Sequence, residues 1–183
     1  MPRSTAGWLC HPFLIPAPLQ DWLVHCGSLT RRLKQRCSRF SVERVGTRIR
    51  PANPDEEREL GLRRGQYAYV REVVLYCDGQ AVVFAHSVVP LKNLRGPWNS
   101  VTRLGTRPLG EALFANHLVR RHPLSYRALH PRHKLHRQTA SVVALDDSAK
   151  LLARRSRFSL KGRGLMVTEV FLPAILDVND DSR

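Results

Sequence analysis

Two ionisable side chains interrupt an otherwise apolar alternation. In the segment 164–172, Leu165, Val167, Glu169 and Phe171 fall on one face of an extended chain, so a carboxylate stands in line with three large apolar residues. In the segment 67–76 the same spacing groups Tyr69, Arg71, Val73 and Leu75, placing Arg71 among apolar neighbours while Glu72 points to the other face. Burying a lone charge costs several kcal/mol even after relaxation, so both groups need partners. One reading pairs them with each other, or leaves one or both of these faces wet. The other is a closed anion-binding pocket, with Arg71 forking onto a ligand carboxylate and Glu169 meeting a hydroxyl or proton at the far end.

Conventional catalytic motifs do not compete. The chain has no G-x-S-x-G, no phosphate-cradling glycine loop, no H-E-x-x-H and no cysteine with an evident histidine partner. The spacing of His130, His133 and His136 would let imidazoles converge on a metal. No carboxylate lies between Glu111 and Asp146, however, and Pro131 interrupts any helix there, so a mobile basic loop without metal is expected. Cys10, Cys26, Cys37 and Cys77 are scattered, with no C-x-x-C pair and no histidine at zinc-ligand spacing, and they read as reduced thiols.

The elements that must hold Arg71 and Glu169 follow from local pattern. Tyr67–Tyr76 and Ala81–Val89 are rich in β-branched and aromatic residues, and Asp78-Gly79 between them predicts a hairpin. Arg155–Leu160 and Gly164–Leu172 flank Lys161-Gly162-Arg163 and predict a second one. Phe40–Ile49 reads as a strand. Asp21–Cys37 reads as two short helices meeting at Gly27, with Ser28 capping the second. A further helix is expected to start with Thr106 as cap and Pro108 in its first turn, ending near His117 or Leu118. Arg50–Gly65 reads as an exposed loop with one helical turn. Arg120–Lys150 reads as a long loop with a helix near Asp147–Leu152. These elements define an α+β fold on an antiparallel sheet.

The 183 residues are 43% hydrophobic, enough for one domain with its own core, and 30 basic against 15 acidic side chains give a net charge of +15. The basic residues cluster in 31–50 and 120–137 without an RNA-binding aromatic signature or a helix-turn-helix. They read as a solvated face or as attraction toward anionic metabolites, and no specific nucleic acid partner is expected. No apolar run approaches the ~20 residues of a membrane span, and prolines break Met1–Leu19 as a signal peptide. A cytoplasmic monomer is expected, with a Pro-rich extension over 1–18, a basic insertion or loop over 115–150 and a frayed end over 177–183.

Several strings together resemble the chorismate lyase (chorismate pyruvate-lyase) family. They are Asp21-Trp22-Leu23 with Ser28-Leu29-Thr30-Arg31-Arg32; Val70-Arg71-Glu72-Val73-Val74-Leu75 with Asp78-Gly79; Ser87-Val88-Val89-Pro90; Leu104-Gly105-Thr106-Arg107-Pro108-Leu109-Gly110 with Leu113-Phe114; and Arg154-Arg155-Ser156-Arg157-Phe158 through Thr168-Glu169-Val170-Phe171-Leu172-Pro173. The resemblance implies a single domain with an antiparallel sheet of about six strands, and helices on one side as flaps over a buried ligand pocket. It implies a cofactor-free lyase that takes pyruvate from chorismate and leaves 4-hydroxybenzoate, the first committed step toward ubiquinone. No metal is expected, and a product whose carboxylate and phenol are both enclosed is expected to bind tightly. Carried over by position, Arg71 binds the ring carboxylate, backbone amides of Leu29 and Leu109 assist it, and Glu169 meets the ring hydroxyl. Leu29 stands where methionine is common, His86 stands where an arginine is usual in the pocket, and the segment 115–153 is longer and more basic than the family pattern. The same fold is shared with effector-binding domains of bacterial repressors, so a non-catalytic small-carboxylate-binding domain is the alternative.

Overall fold

Short β-branched runs divided by glycine turns set the order of elements in the computed structural model, which describes residues 7–11, 15, 17–145 and 150–178. Two helices come first, α1 (Ala17–Val24) and α2 (Leu29–Arg36), then β1 (Phe40–Pro51) and α3 (Pro54–Leu60). The first hairpin is β2 (Tyr67–Cys77) and β3 (Gln80–Pro90). Asp78 and Gly79 join them at φ values of 50° and 84°, as a two-residue turn with both central residues left-handed requires. A short helix α4 (Leu91–Leu94), a 3-10 turn (Asn99–Arg103) and α5 (Leu109–Ala115) lead to β4 (Arg120–Arg121), β5 (Ser125–Leu129) and α6 (Lys134–Ala140). The second hairpin, β6 (Leu151–Leu160) and β7 (Arg163–Phe171), turns at Lys161 and Gly162, with φ 49° and 72°.

All pairings are antiparallel, in the order β1-β2-β3-β7-β6-β4, with β5 also on β6. Arg121 faces Phe158 and Ser125 faces Arg155, so β4 and β5 are one edge interrupted at 122–124 and seven strands fill six positions. The expected α+β architecture holds.

Helices cover both faces. α1, α2 and α5 lie over one, where two apolar clusters form: one around Leu23, Leu33, Val83 and Phe171, the other around Trp98, Leu113, Phe158 and Leu165. α6 lies over the other, where Leu135 joins Trp8, Phe84, Leu151 and Val170, and α3 sends acids to the same side.

Four expectations need correction. Arg50–Gly65 is not an exposed loop: Asn53 and Glu56 form a capping box that starts α3, and Glu56 and Glu57 are buried. Arg120–Lys150 carries two short strands and α6. The helix there starts after Pro131, which ends nothing because it precedes the cap His133. Of the helix expected near Asp147–Leu152, residues 147–149 lie outside the described residues and Leu151 and Leu152 are strand. The α5 helix begins two residues later than expected, with Pro108 and not Thr106 as its cap, and ends at Ala115.

The fourth correction concerns cysteine. Cys37 and Cys77 form a disulfide with Cα atoms 5.3 Å apart, while Cys10 and Cys26 are free and exposed. The pair is 40 residues apart in sequence, but β1 pairs β2 with Phe40 opposite Cys77, which brings the end of α2 onto the hairpin. Asp78 fixes the same corner by accepting from the amides of Ser38 and Arg39, at 3.3 and 2.6 Å. Trp8, in the Pro-rich entry, is part of the core, and Leu9 bridges Tyr126.

Candidate active site

Strand parity and register assemble one pocket. Arg71 faces Ser87, Ser87 faces Val167, and Val167 faces Ser156, so these four form a row across β2, β3, β7 and β6. The next row on the same face is Val73, Ala85, Glu169 and Arg154. All eight line a pocket whose roof is Gly27, Leu29 and Thr30 from the α1–α2 corner and Pro108, Leu109, Gly110, Leu113 and Phe114 from α5. Arg71 and Glu169 are two strands and two residues apart, about 10 Å across and about 7 Å along. A planar ring with opposed substituents fits that diagonal.

The roof follows from local sequence. Ser28 Oγ accepts from the Arg31 amide at 3.3 Å and starts α2, whose Leu29 and Leu33 are buried. At α5, Leu109 and Leu113 are buried. The two helix starts come close because Gly110 has no side chain: a Cβ there would meet Thr30 Oγ1 at 3.3 Å and Ser28 Oγ at 3.7 Å. Leu29 and Leu109 are the first residues of their helices, whose opening amides have no partner within the helix.

Arg71 is 2% exposed, and among the described residues no carboxylate lies in ion-pair range of it. Its Nη2 donates to the carbonyls of Gly105 and Arg107, at 3.0 and 2.9 Å, and its Nε is buried without a hydrogen-bond partner. Burial pushes its pKa below the ordinary arginine value. A buried guanidinium left in this state is poised for an anion.

Glu169 does not pair with Arg71. Arg154 Nε donates to its Oε2 at 2.5 Å, and Arg154 Nη1 meets the carbonyls closing α1, at 3.1 Å for Trp22, 3.4 Å for Leu23 and 2.8 Å for His25. Arg154 is 1% exposed, so this one side chain ties a helix C-terminus to the carboxylate. Arg121, the third guanidinium of the pocket, donates from Nε and Nη2 to Ser156 Oγ at 3.1 and 2.7 Å, and from Nη1 to the Cys26 carbonyl at 2.6 Å.

The structure therefore brings Arg71, Glu169, Leu29 and Leu109 to one cavity, and leaves His86 out of it. His86 faces Glu72 and Thr168 on the opposite side of the sheet, 1% exposed, with Nδ1 3.0 Å from Glu72 and Nε2 2.9 Å from Glu56. Burial alone would lower its pKa, but hydrogen bonds to both carboxylates, and their negative charge, raise it. Burial would raise Glu56 as well, but the hydrogen bond and charge of His86, the Asn53 amide and the nearby Arg50 together outweigh it and pull Glu56 down to about 2. The three loop histidines do not converge on a metal: His130 and His133 each accept a nearby amide, and His136 is buried. Arg121, Arg154 and Ser156 were missed. Leu152, Arg154, Ser156 and Phe158 alternate as Arg71 does, but a strand begun at Arg155 leaves out the first half of that pattern.

Among solved structures, a GntR-family transcriptional regulator from Bacillus cereus has a TM-score of 0.56 at 14% identity, covering 74% of this chain and 93% of that chain. At that identity the likeness shows the fold alone. In sequence, a probable chorismate pyruvate-lyase of Thiobacillus denitrificans is 49% identical over 170 residues, 93% of this chain and 90% of that protein. One of Aromatoleum aromaticum is 47% identical over 165 residues, 90% of this chain and 89% of that protein. The family model for chorismate lyase matches residues 4–180, a span that takes in every strand and both roof helices of the pocket, and the chain belongs to the chorismate lyase family.

Proposed function

We propose that this chain is a chorismate pyruvate-lyase, converting chorismate to 4-hydroxybenzoate and pyruvate as the entry to ubiquinone synthesis. The observation that carries the reading is Arg71, 2% exposed and without an acid partner among the described residues, across an apolar pocket from Glu169. Arg71 takes the ring carboxylate, assisted by the opening amides of α2 at Leu29 and α5 at Leu109. Glu169, with Oε2 held by Arg154, offers Oε1 to the ring hydroxyl.

The chemistry asks little beyond placement. The bond between the ring and the enolpyruvyl oxygen breaks with its electron pair on oxygen. The adjacent hydroxyl-bearing carbon loses its hydrogen as a proton, the ring becomes aromatic, and the enolpyruvate takes up a proton to become pyruvate. The pocket contributes by selecting the reactive conformer and by presenting fixed positive charge to the departing oxygen. The product keeps one carboxylate for Arg71 and one phenol for Glu169, so it binds tightly and its release limits turnover.

Purified protein incubated with chorismate is expected to give 4-hydroxybenzoate by absorbance and an equal amount of pyruvate. Binding of 4-hydroxybenzoate without turnover would assign a carboxylate-binding domain instead. Glu169→Gln then separates two roles: a single-turnover rate near wild type means orientation of the hydroxyl, and a fall of about 10² to 10⁴ means proton removal.

A further inference from the structure

The charges that line the pocket are Arg71, Arg121, Arg154 and Glu169, three positive and one negative, a net of 3 − 1 = +2. Chorismate carries two carboxylates, and the reading proposed above assigns only one of them, to Arg71. Arg154 is committed to Glu169 and to the closing carbonyls of α1. Arg121 is not committed to any acid among the described residues. Its partners are one hydroxyl and the carbonyls of Cys26 and Gly27, and burial, with Arg154 nearby, pushes its pKa down. The Nε and Nη2 edge, which a carboxylate takes with two parallel bonds, holds the single oxygen of Ser156.

Its placement matches a second anchor. Ser156 ends the row that begins at Arg71, three strands away, about 14 Å between Cα positions. Arg71 from β2 and Arg121 from β4 thus border the same cavity from opposite sides. The guanidinium lies 5.4 Å from the ring centre of Phe114 on α5 and 5.6 Å from that of Phe158 on β6, two rings that meet edge to face beside it. It also bonds the α1–α2 corner, so it touches both roof elements and the floor.

We propose that Arg121 is the anchor for the second, enolpyruvyl carboxylate, and that it makes the site prefer the dianionic substrate over its monoanionic aromatic product. The inference rests on the lyase reading and adds a residue to it. The reaction itself then moves the charge Arg121 holds onto pyruvate, while the aromatic acid stays with Arg71 and Glu169.

The test is a comparison of ligands on Arg121→Ala. With wild type turning over chorismate, the variant should show a KM for chorismate raised about 10- to 100-fold, the size of a charge-assisted contact. Its dissociation constant for 4-hydroxybenzoate, by calorimetry, should stay within about 3-fold. Pyruvate should inhibit wild type and should inhibit the variant less. If Arg121 only braces the roof, both affinities fall together, and that result overturns the proposal; so does an unchanged KM. Arg121→Lys, which keeps the charge and serves if the alanine variant does not fold, should give an intermediate KM. A wild-type KM in the lysine variant would overturn the fork. Failure of wild type to convert chorismate would instead overturn the lyase reading itself.

Discussion

Each face of the sheet buries a polar band between apolar clusters, and the two bands differ in how their charges are matched. On the α6 side, Glu72, His86, Thr168 and Arg155 form one row. Glu56 and Glu72 clasp His86, Arg48 approaches Glu72 at 3.4 Å, and Arg155 meets Asp55 at 2.6 Å while lying 3.9 Å from the Trp8 ring centre. Of the three arginines that line the pocket on the roofed side, Arg71 and Arg121 have no acid in ion-pair range among the described residues, and Arg154 pairs with Glu169. A band with matched charges is self-sufficient and holds elements together. A band with surplus cations has kept part of their electrostatic demand for a ligand.

Arg71→Met breaks the comparison most severely if it is wrong. Removing a bidentate contact to a carboxylate in a dry pocket should lower kcat/KM about 10³-fold and abolish measurable 4-hydroxybenzoate binding. Stability, from urea denaturation, should stay within about 1 kcal/mol or rise, because an unpaired buried cation is replaced by an apolar chain of similar volume. A large stability loss with intact binding would reassign Arg71 to the scaffold. Arg71→Lys should restore only part of the activity, since an ammonium cannot reproduce the fork.

How far these bands were legible in the sequence depended on range. The hairpins at Asp78-Gly79 and Lys161-Gly162 and the cap at Ser28 are local, and the structure has them where the residues imply. Arg71 and Glu169 stood out because alternation within one strand is also local. Their partners were not legible, since which carbonyl or carboxylate meets a guanidinium depends on register and on segments over 100 positions away, as for Arg154 with Trp22 and His25. His86 shows the same limit. β3 alternates cleanly, but only the pairing of Arg71 with Ser87 says that Ala85 and Ser87, and not His86, face the pocket. The Cys37–Cys77 bond likewise depends on the β1–β2 register.

His86→Leu tests the matched band. Two buried carboxylates would lose their shared partner, so unfolding free energy should fall by about 3 to 5 kcal/mol, with kcat at temperatures below the transition nearly unchanged. The pH dependence has a definite sign. His86 has its pKa raised above 6.5, so its contribution is full below pH 6.5 and fades as pH rises through the raised value. Glu56 is lowered from 4.5 to about 2, so its contribution is full above pH 4.5 and fades as pH falls toward 2. The stability gap between wild type and His86→Leu should therefore be widest between pH 4.5 and 6.5. A gap that grows steadily above pH 7 would show that His86 is held neutral.

The smallest expected effect concerns the basic segment, where the contrast between the faces becomes a contrast between two histidines. His133 caps α6: its Nδ1 accepts from the Leu135 amide at 3.2 Å, and α6 in turn places Leu135 in the apolar cluster of that face and Gln138 3.3 Å from Glu72. Burial, with Arg127 adding repulsion, lowers the His133 pKa, opposite in direction to His86. The cap needs Nδ1 unprotonated, so its contribution is present above pH 6.5 and is lost as pH falls through the lowered value. His133→Ala should cost about 1 kcal/mol at pH 8, the usual worth of a cap, and less at pH 5. Turnover of chorismate should not change, because α6 packs on the side of the sheet away from Arg71 and Glu169, and chelators should have no effect on either protein. A loss of turnover without a loss of stability would mean that this segment reaches the pocket, and the division of labour between the two faces would fail there.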